Sequence, residues 1–136
     1  IVESKAIGAD VILLIAACLT STELKNFGNL ATDLGMEVLY EVHTKEDLDK
    51  INDLDNKIIG INNRNLKTFE VNLDNSIKLA NQIPESSIKV SESGISDPRI
   101  ITGLKQYGFQ GFLIGENFMK EENPGEACQE FISQIR

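Results

Sequence analysis

Five short apolar runs punctuate this chain: VILLI from Val11, VLY from Val38, IIGI from Ile58, IKV from Ile88 and FLI from Phe112. Between them, apolar residues recur at threes and fours, the spacing of one helix face. Leu24, Phe27, Leu30, Ala31 and Leu34 form one such stripe, Ile77, Leu79, Ala80 and Ile83 a second, and Ala127, Phe131, Ile132 and Ile135 a third. Thr20 with Glu23, and Thr44 with Asp47, have the form of helix-starting caps; Asp97 before Pro98 starts another helix, and a further one begins near Asn72. Gly8, Gly35 and Gly108 each stand where a helix stops and a strand follows, a turn that needs a left-handed residue. Strands therefore alternate with helices.

Such alternation predicts an α/β fold of parallel strands joined by helical crossovers, and the almost unbroken runs ILLI and FLI suit strands buried on both faces. An open nucleotide-binding sheet normally carries a glycine-rich phosphate loop after its first strand, and AACLTSTE after Ile15 is not one. Polar residues instead end several strands: Glu41, Asn62 to Arg64, Glu92 to Gly94, and Gly115 to Asn117. Functional groups at the carboxyl ends of successive strands are the mark of a (β/α)8 barrel. A whole barrel takes ~250 residues, so this chain of 136 residues predicts a partial one, with about five β/α units in a single domain portion spanning residues 1–136. Its opening, IVESKAIGAD, reads as the tail of a helix, as though the chain began inside a domain.

Composition narrows the partners. Thirteen basic residues against twenty-one acidic ones give a net charge of -8 spread along the chain, which argues against nucleic acid. The longest apolar stretch, Val11 to Leu19, is too short to span a bilayer, and no secretory signal opens the sequence, so a cytoplasmic protein is expected. Cys18 and Cys128 lack metal-ligand or redox spacing and read as small buried apolar residues.

Strand parity locates the candidate chemistry. In EVLYEV, Glu37, Leu39 and Glu41 share one face, opposite Val38, Tyr40 and Val42; in the next strand but one, Ile88, Val90 and Glu92 share a face. Glu41 and Glu92 thus converge at one mouth, where desolvation and mutual charge split carboxylate pKa values and suit them to proton transfer. Asn62 offers an inward amide, and Arg64 a two-point grip on an anion. Asn63 and Asn65 read as turn residues, and His43 as a loop or capping histidine without a metal partner. Gly94 and Gly115, in consecutive units and the second opening a short helix at ENFMK, allow close backbone approach to a phosphate.

GADVILLIAACL, EVLYEVHTKEDL, IIGINNRNLKTFEVNL, VSESGIS and FLIGENFM, in this order, resemble indole-3-glycerol phosphate synthase, a (β/α)8 enzyme of tryptophan biosynthesis. The resemblance implies that the five strands are the fourth to eighth of that barrel. It also implies a carbon–carbon lyase that closes the indole ring of 1-(2-carboxyphenylamino)-1-deoxyribulose 5-phosphate with loss of carbon dioxide and water, without cofactor or metal. Matched position by position, Glu41 is the catalytic base. Asn62 orients reacting groups, and Glu92 orients and tunes a lysine. Arg64, Ser93 and Leu113 contact the substrate, and Gly94, Gly115 and the backbone of Glu116 cradle its phosphate. The family's acid lysine, in the third strand, would precede Ile1, and Lys5 cannot replace it, so the chain alone is expected to be inactive.

Two other readings remain at this point. One is a different phosphate-binding barrel such as phosphoribosylanthranilate isomerase, which does not account for Glu41, GINNR and Glu92 together. The other is a non-catalytic half-barrel. A sheet with two unpaired edges and an open apolar side, exposing residues such as Leu39 and Val90, is expected to self-associate or to pair with the missing half.

Overall fold

The computed structural model describes residues 1–54, 57–64 and 70–135. Asn65 and part of the GINNRNLKTFEVNL segment lie outside them. After a short helix, α1 (Val2–Ala6), come β1 (Val11–Ile15), a 3-10 turn (Ala16–Cys18), α2 (Ser21–Asp33), β2 (Glu37–Val42) and α3 (Lys45–Asp49). They are followed by β3 (Ile58–Asn62), α4 (Leu73–Ala80), β4 (Ile88–Glu92), α5 (Pro98–Lys105), β5 (Phe109–Leu113), α6 (Glu116–Met119) and α7 (Pro124–Ser133).

All strands are parallel and lie in sequential order, β1-β2-β3-β4-β5. A doubly wound sheet reverses its order at a switch point, and this one does not. It is a stretch of barrel wall, open at the β1 and β5 edges, and the α/β half-barrel expectation holds.

The local signals explain these elements. Thr20 accepts from the Glu23 N–H while Glu23 reaches back to the Thr20 N–H, and Thr44 and Asp47 do the same for α3. Asn72 and Asp97 cap α4 and α5. Gly8, Gly35 and Gly108 all have positive φ, as the helix-to-strand turns required. β5 starts earlier than the FLI run, at Phe109, whose side chain is buried.

The core lies between the sheet and its helices, with Leu24, Ala31, Tyr40, Val42, Leu48, Ile51, Ile59 and Ile61 buried together. Two expectations change here. Phe27 and Leu30 are exposed, because α2 turns Gly28 to the sheet and the Tyr40 hydroxyl fills the place where a Cβ of Gly28 would stand. In α7 only Phe131 is buried, set edge-on against Phe118 at 5.4 Å, whereas Ile132 is exposed. Cys18 is exposed beyond the edge strand β1 and Cys128 is half-buried, so Cys18 is not the core residue its composition class implied.

The other face of the sheet is divided. Val11, Leu13, Ile88 and Leu113 leave it apolar and open to solvent. Val90 does not share that exposure: it is buried, with its Cγ2 against the bare Gly111 of the neighbouring strand. Leu39 is half-buried.

Candidate functional site at the carboxyl ends of the strands

Register brings the two carboxylates together. Glu41 on β2 pairs with Gly60 on β3, and Asn62, two residues on, pairs with Glu92 on β4. Gly60 has no side chain, and a Cβ there would collide with Glu92 Oε1. The Glu92 carboxylate therefore leans across β3 toward Glu41, a close approach that only glycine permits. Neither carboxylate reaches much water: Glu41 is 4% exposed and Glu92 6%.

Burial pushes the Glu92 carboxyl up to about 8, helped by the negative charge of Glu41 and by a hydrogen bond between the two groups. At neutral pH Glu92 thus keeps its proton and presents it to Glu41. Glu41 Oε1 and Glu92 Oε1 have no hydrogen-bond partner among the described residues. Buried polar atoms left open in this way are costly in a structural role and useful in a binding one.

The β4 end is held from below by a residue read from sequence as a turn former. Asn63 is buried, and its amide nitrogen lies 3.0 Å from Ser91 Oγ, 2.9 Å from the Glu92 carbonyl and 2.9 Å from the Ser93 carbonyl. Its backbone N–H also donates to the Glu92 carbonyl at 2.8 Å, and its side-chain oxygen accepts from Ser76 on α4. Ser93, with φ 66, is held in the left-handed region that L-residues avoid. Asn63 is a clamp on the segment Ser91–Ser93, and its turn propensity concealed that role.

Arg64, Glu92, Ser93, Gly94, Leu113, Gly115 and Glu116 line one cleft of about 690 Å³. Glu41 and Asn62 stand outside that lining. The Asn62 side-chain oxygen accepts from the Arg64 N–H at 2.9 Å, turning the chain so that Arg64 swings toward α6. There its guanidinium pairs with the Glu116 carboxylate. That hydrogen bond, with the arginine's charge, holds Glu116 below the usual carboxylate range. The negative charge of Glu116 is thereby offset by a cation.

His43 lies in the bend between β2 and α3, the loop position expected of it, with its backbone N–H on Asp47. Its ring caps nothing; Nε2 sits 3.6 Å from Glu41 Oε1. Gly60 carried no signal in the sequence beyond standing mid-strand opposite Glu41. Lys5 donates to the Gly35 carbonyl at the amino end of the sheet, at the opposite end from Glu41. Among the described residues no group of three or more His, Cys, Asp and Glu side chains is arranged to hold a metal. No helix among them is long and apolar enough to cross a membrane.

Comparison with known proteins bears on the family. A family model described as indole-3-glycerol phosphate synthase matches residues 1–131. Proteins of that name from Bacteroides thetaiotaomicron and Salinibacter ruber are 49% and 47% identical, covering 98% and 100% of this chain. One from Acetivibrio thermocellus is 48% identical over 96% of it. The chain spans 51%, 49% and 50% of their respective lengths, about half of each curated relative. With the family model over nearly its whole length and relatives at this identity, the chain belongs to the indole-3-glycerol phosphate synthase family, a family of lyases in tryptophan biosynthesis.

Proposed function

We propose that this chain supplies the base, the paired carboxylate and the phosphate cradle of an indole-3-glycerol phosphate synthase site. The site acts in the cytoplasm on 1-(2-carboxyphenylamino)-1-deoxyribulose 5-phosphate. The observation that carries the reading is the Glu41–Glu92 pair, buried at the carboxyl ends of β2 and β4 and meeting over Gly60. Ring closure forms a carbon–carbon bond and releases carbon dioxide; water then leaves.

In this scheme Glu41 accepts the proton released during ring formation and dehydration, and Glu92 sets the charge around the family's lysine. Asn62 orients the reacting groups. Arg64 exchanges Glu116 for the polar edge of the substrate, with Ser93 and Leu113 lining the pocket. The backbone N–H groups of Gly94, Gly115 and Glu116 take the phosphate; the positive φ of Gly94 and the start of α6 at Gly115 support this placement. No cofactor or metal enters the scheme.

The acid that protonates the leaving hydroxyl is the missing part. Lys5, tied at the far end of the sheet, cannot reach it. The chain alone is therefore inactive, and the exposed Val11, Leu13, Ile88 and Leu113 receive the complementary half of a barrel or, without it, a second copy. The test is formation of indole-3-glycerol phosphate by the chain alone and after co-folding with the half of a relative that it does not match. Activity only in the mixture supports the assignment. Turnover by the chain alone overturns the role given to the absent lysine, and no activity in a mixture that forms a stable complex overturns the synthase reading. Sedimentation of the isolated chain checks the open face, since a compact monomer across a wide concentration range contradicts it.

A further inference from the structure

Four buried side-chain atoms near the mouth have no hydrogen-bond partner among the described residues: Glu41 Oε1, Glu92 Oε1 and both ring nitrogens of His43. A carboxylate only accepts, and a carboxylic acid or an imidazole carries a donor. Glu92 faces Glu41 from β4 and shares a hydrogen bond with it. His43 approaches the same carboxylate, with Nε2 3.6 Å from Oε1 and side-chain exposures of 13% and 6%. A hydrogen bond needs a separation of ~2.7–3.2 Å, so closing the contact takes less than one ångström of movement.

The backbone leaves the ring little choice. The His43 N–H donates to Asp47 Oδ2 at 3.2 Å, and its carbonyl accepts from Asn75 Nδ2 at 2.8 Å. Asp47 belongs to the α3 cap and Asn75 to α4, so two helices fix the residue that carries the imidazole. β2 ends at Val42, and in the bend beyond it the His43 ring comes back to Glu41.

We propose that His43 is a positioning residue for Glu41: its Nε2–H holds Oε1 and thereby fixes which carboxylate oxygen faces the reacting atoms. A base oriented by a third group is a recurrent arrangement, and here the oriented base is a carboxylate met by both Glu92 and His43. The functional half of this statement rests on the synthase reading; the contact itself does not.

The chain has one histidine, so its imidazole can be read by NMR without ambiguity. In the ¹⁵N-labelled 136-residue chain, the expected result is an imidazole proton on Nε2, protected from solvent exchange, that is lost in Glu41→Ala. A proton on Nδ1, or an Nε2 proton exchanging as freely as in a short peptide, overturns the proposal. The unsubstituted chain alone decides this point if Glu41→Ala fails to fold. In the active, co-folded enzyme, His43→Leu is expected to lower kcat by roughly tenfold or more with little change in KM, the effect of losing one hydrogen bond to a charged group. His43→Gln, whose amide nitrogen replaces Nε2, restores most of it. An unchanged kcat in His43→Leu, or equal losses in both variants, overturns the positioning role. Should the mixture have no activity, the synthase reading fails separately and the NMR result still decides the contact.

Discussion

The two ends of this sheet both bury charge, and they treat it differently. At the amino end, Lys89 donates to the Ala80 carbonyl and Lys57 to the Asn52 carbonyl, both at 2.8 Å, so each buried ammonium is matched to a peptide oxygen. At the carboxyl end, Glu41 and Glu92 meet each other and retain open oxygens. A buried charge used for stability is satisfied inside the chain, whereas one used for chemistry keeps a valence for something else. The contrast separates scaffold from site without reference to any relative.

Substitution at the two ends tests that contrast. Glu41→Gln in the co-folded enzyme is expected to lower kcat ~100- to 10,000-fold, the usual cost of losing a general base, while leaving the unfolding midpoint nearly unchanged. A comparable loss of stability with intact kcat would make Glu41 scaffold. Asn63→Ala is expected to cost about 1–3 kcal/mol, because it strands buried partners on β4 and α4; urea unfolding of the isolated chain measures it.

Glu92 sharpens the comparison through pH. Its carboxyl titrates at about 8 when folded and in the ordinary carboxylate range when unfolded. Between those values the folded chain holds a proton that the unfolded chain has lost. This contribution is therefore complete at the acid end of the window and disappears as pH rises through it. Glu92→Gln should flatten the decline in stability from about pH 5 to about pH 8. An identical slope in both proteins would mean that Glu92 is not held protonated. The smallest effect belongs to Lys89→Met, which keeps the apolar stem and gives up one hydrogen bond for about 1 kcal/mol, with no change in kcat.

Much of this was legible from residue order. Capping pairs, glycine stops and strand parity need only neighbours in sequence, and they located the helices, the turns and the convergence of Glu41 with Glu92. What depends on a distant partner was hidden. Asn63 reads as a turn residue until Ser76, Ser91 and Ser93 are brought around it. Gly60 has meaning only because Glu92 lies across it. Phe27 and Leu30 belong to an ideal apolar stripe, yet it is Gly28 that packs on the Tyr40 hydroxyl, where no side chain would fit, and both apolar residues are left exposed. His43 reads as a loop residue and is one; that its ring approaches the Glu41 carboxylate depends on the course of the bend after β2, which residue order does not give.

The seat of Tyr40 gives the molecule an optical reporter. The chain has no tryptophan and two tyrosines, of which Tyr40 is buried under α2 and Tyr107 is exposed. Burial raises the Tyr40 hydroxyl above its ordinary pKa, so its phenolate forms readily only when α2 lifts from the sheet. Phenolate absorbance and near-ultraviolet dichroism of this ring therefore follow one helix–sheet joint, and they do so with no label attached.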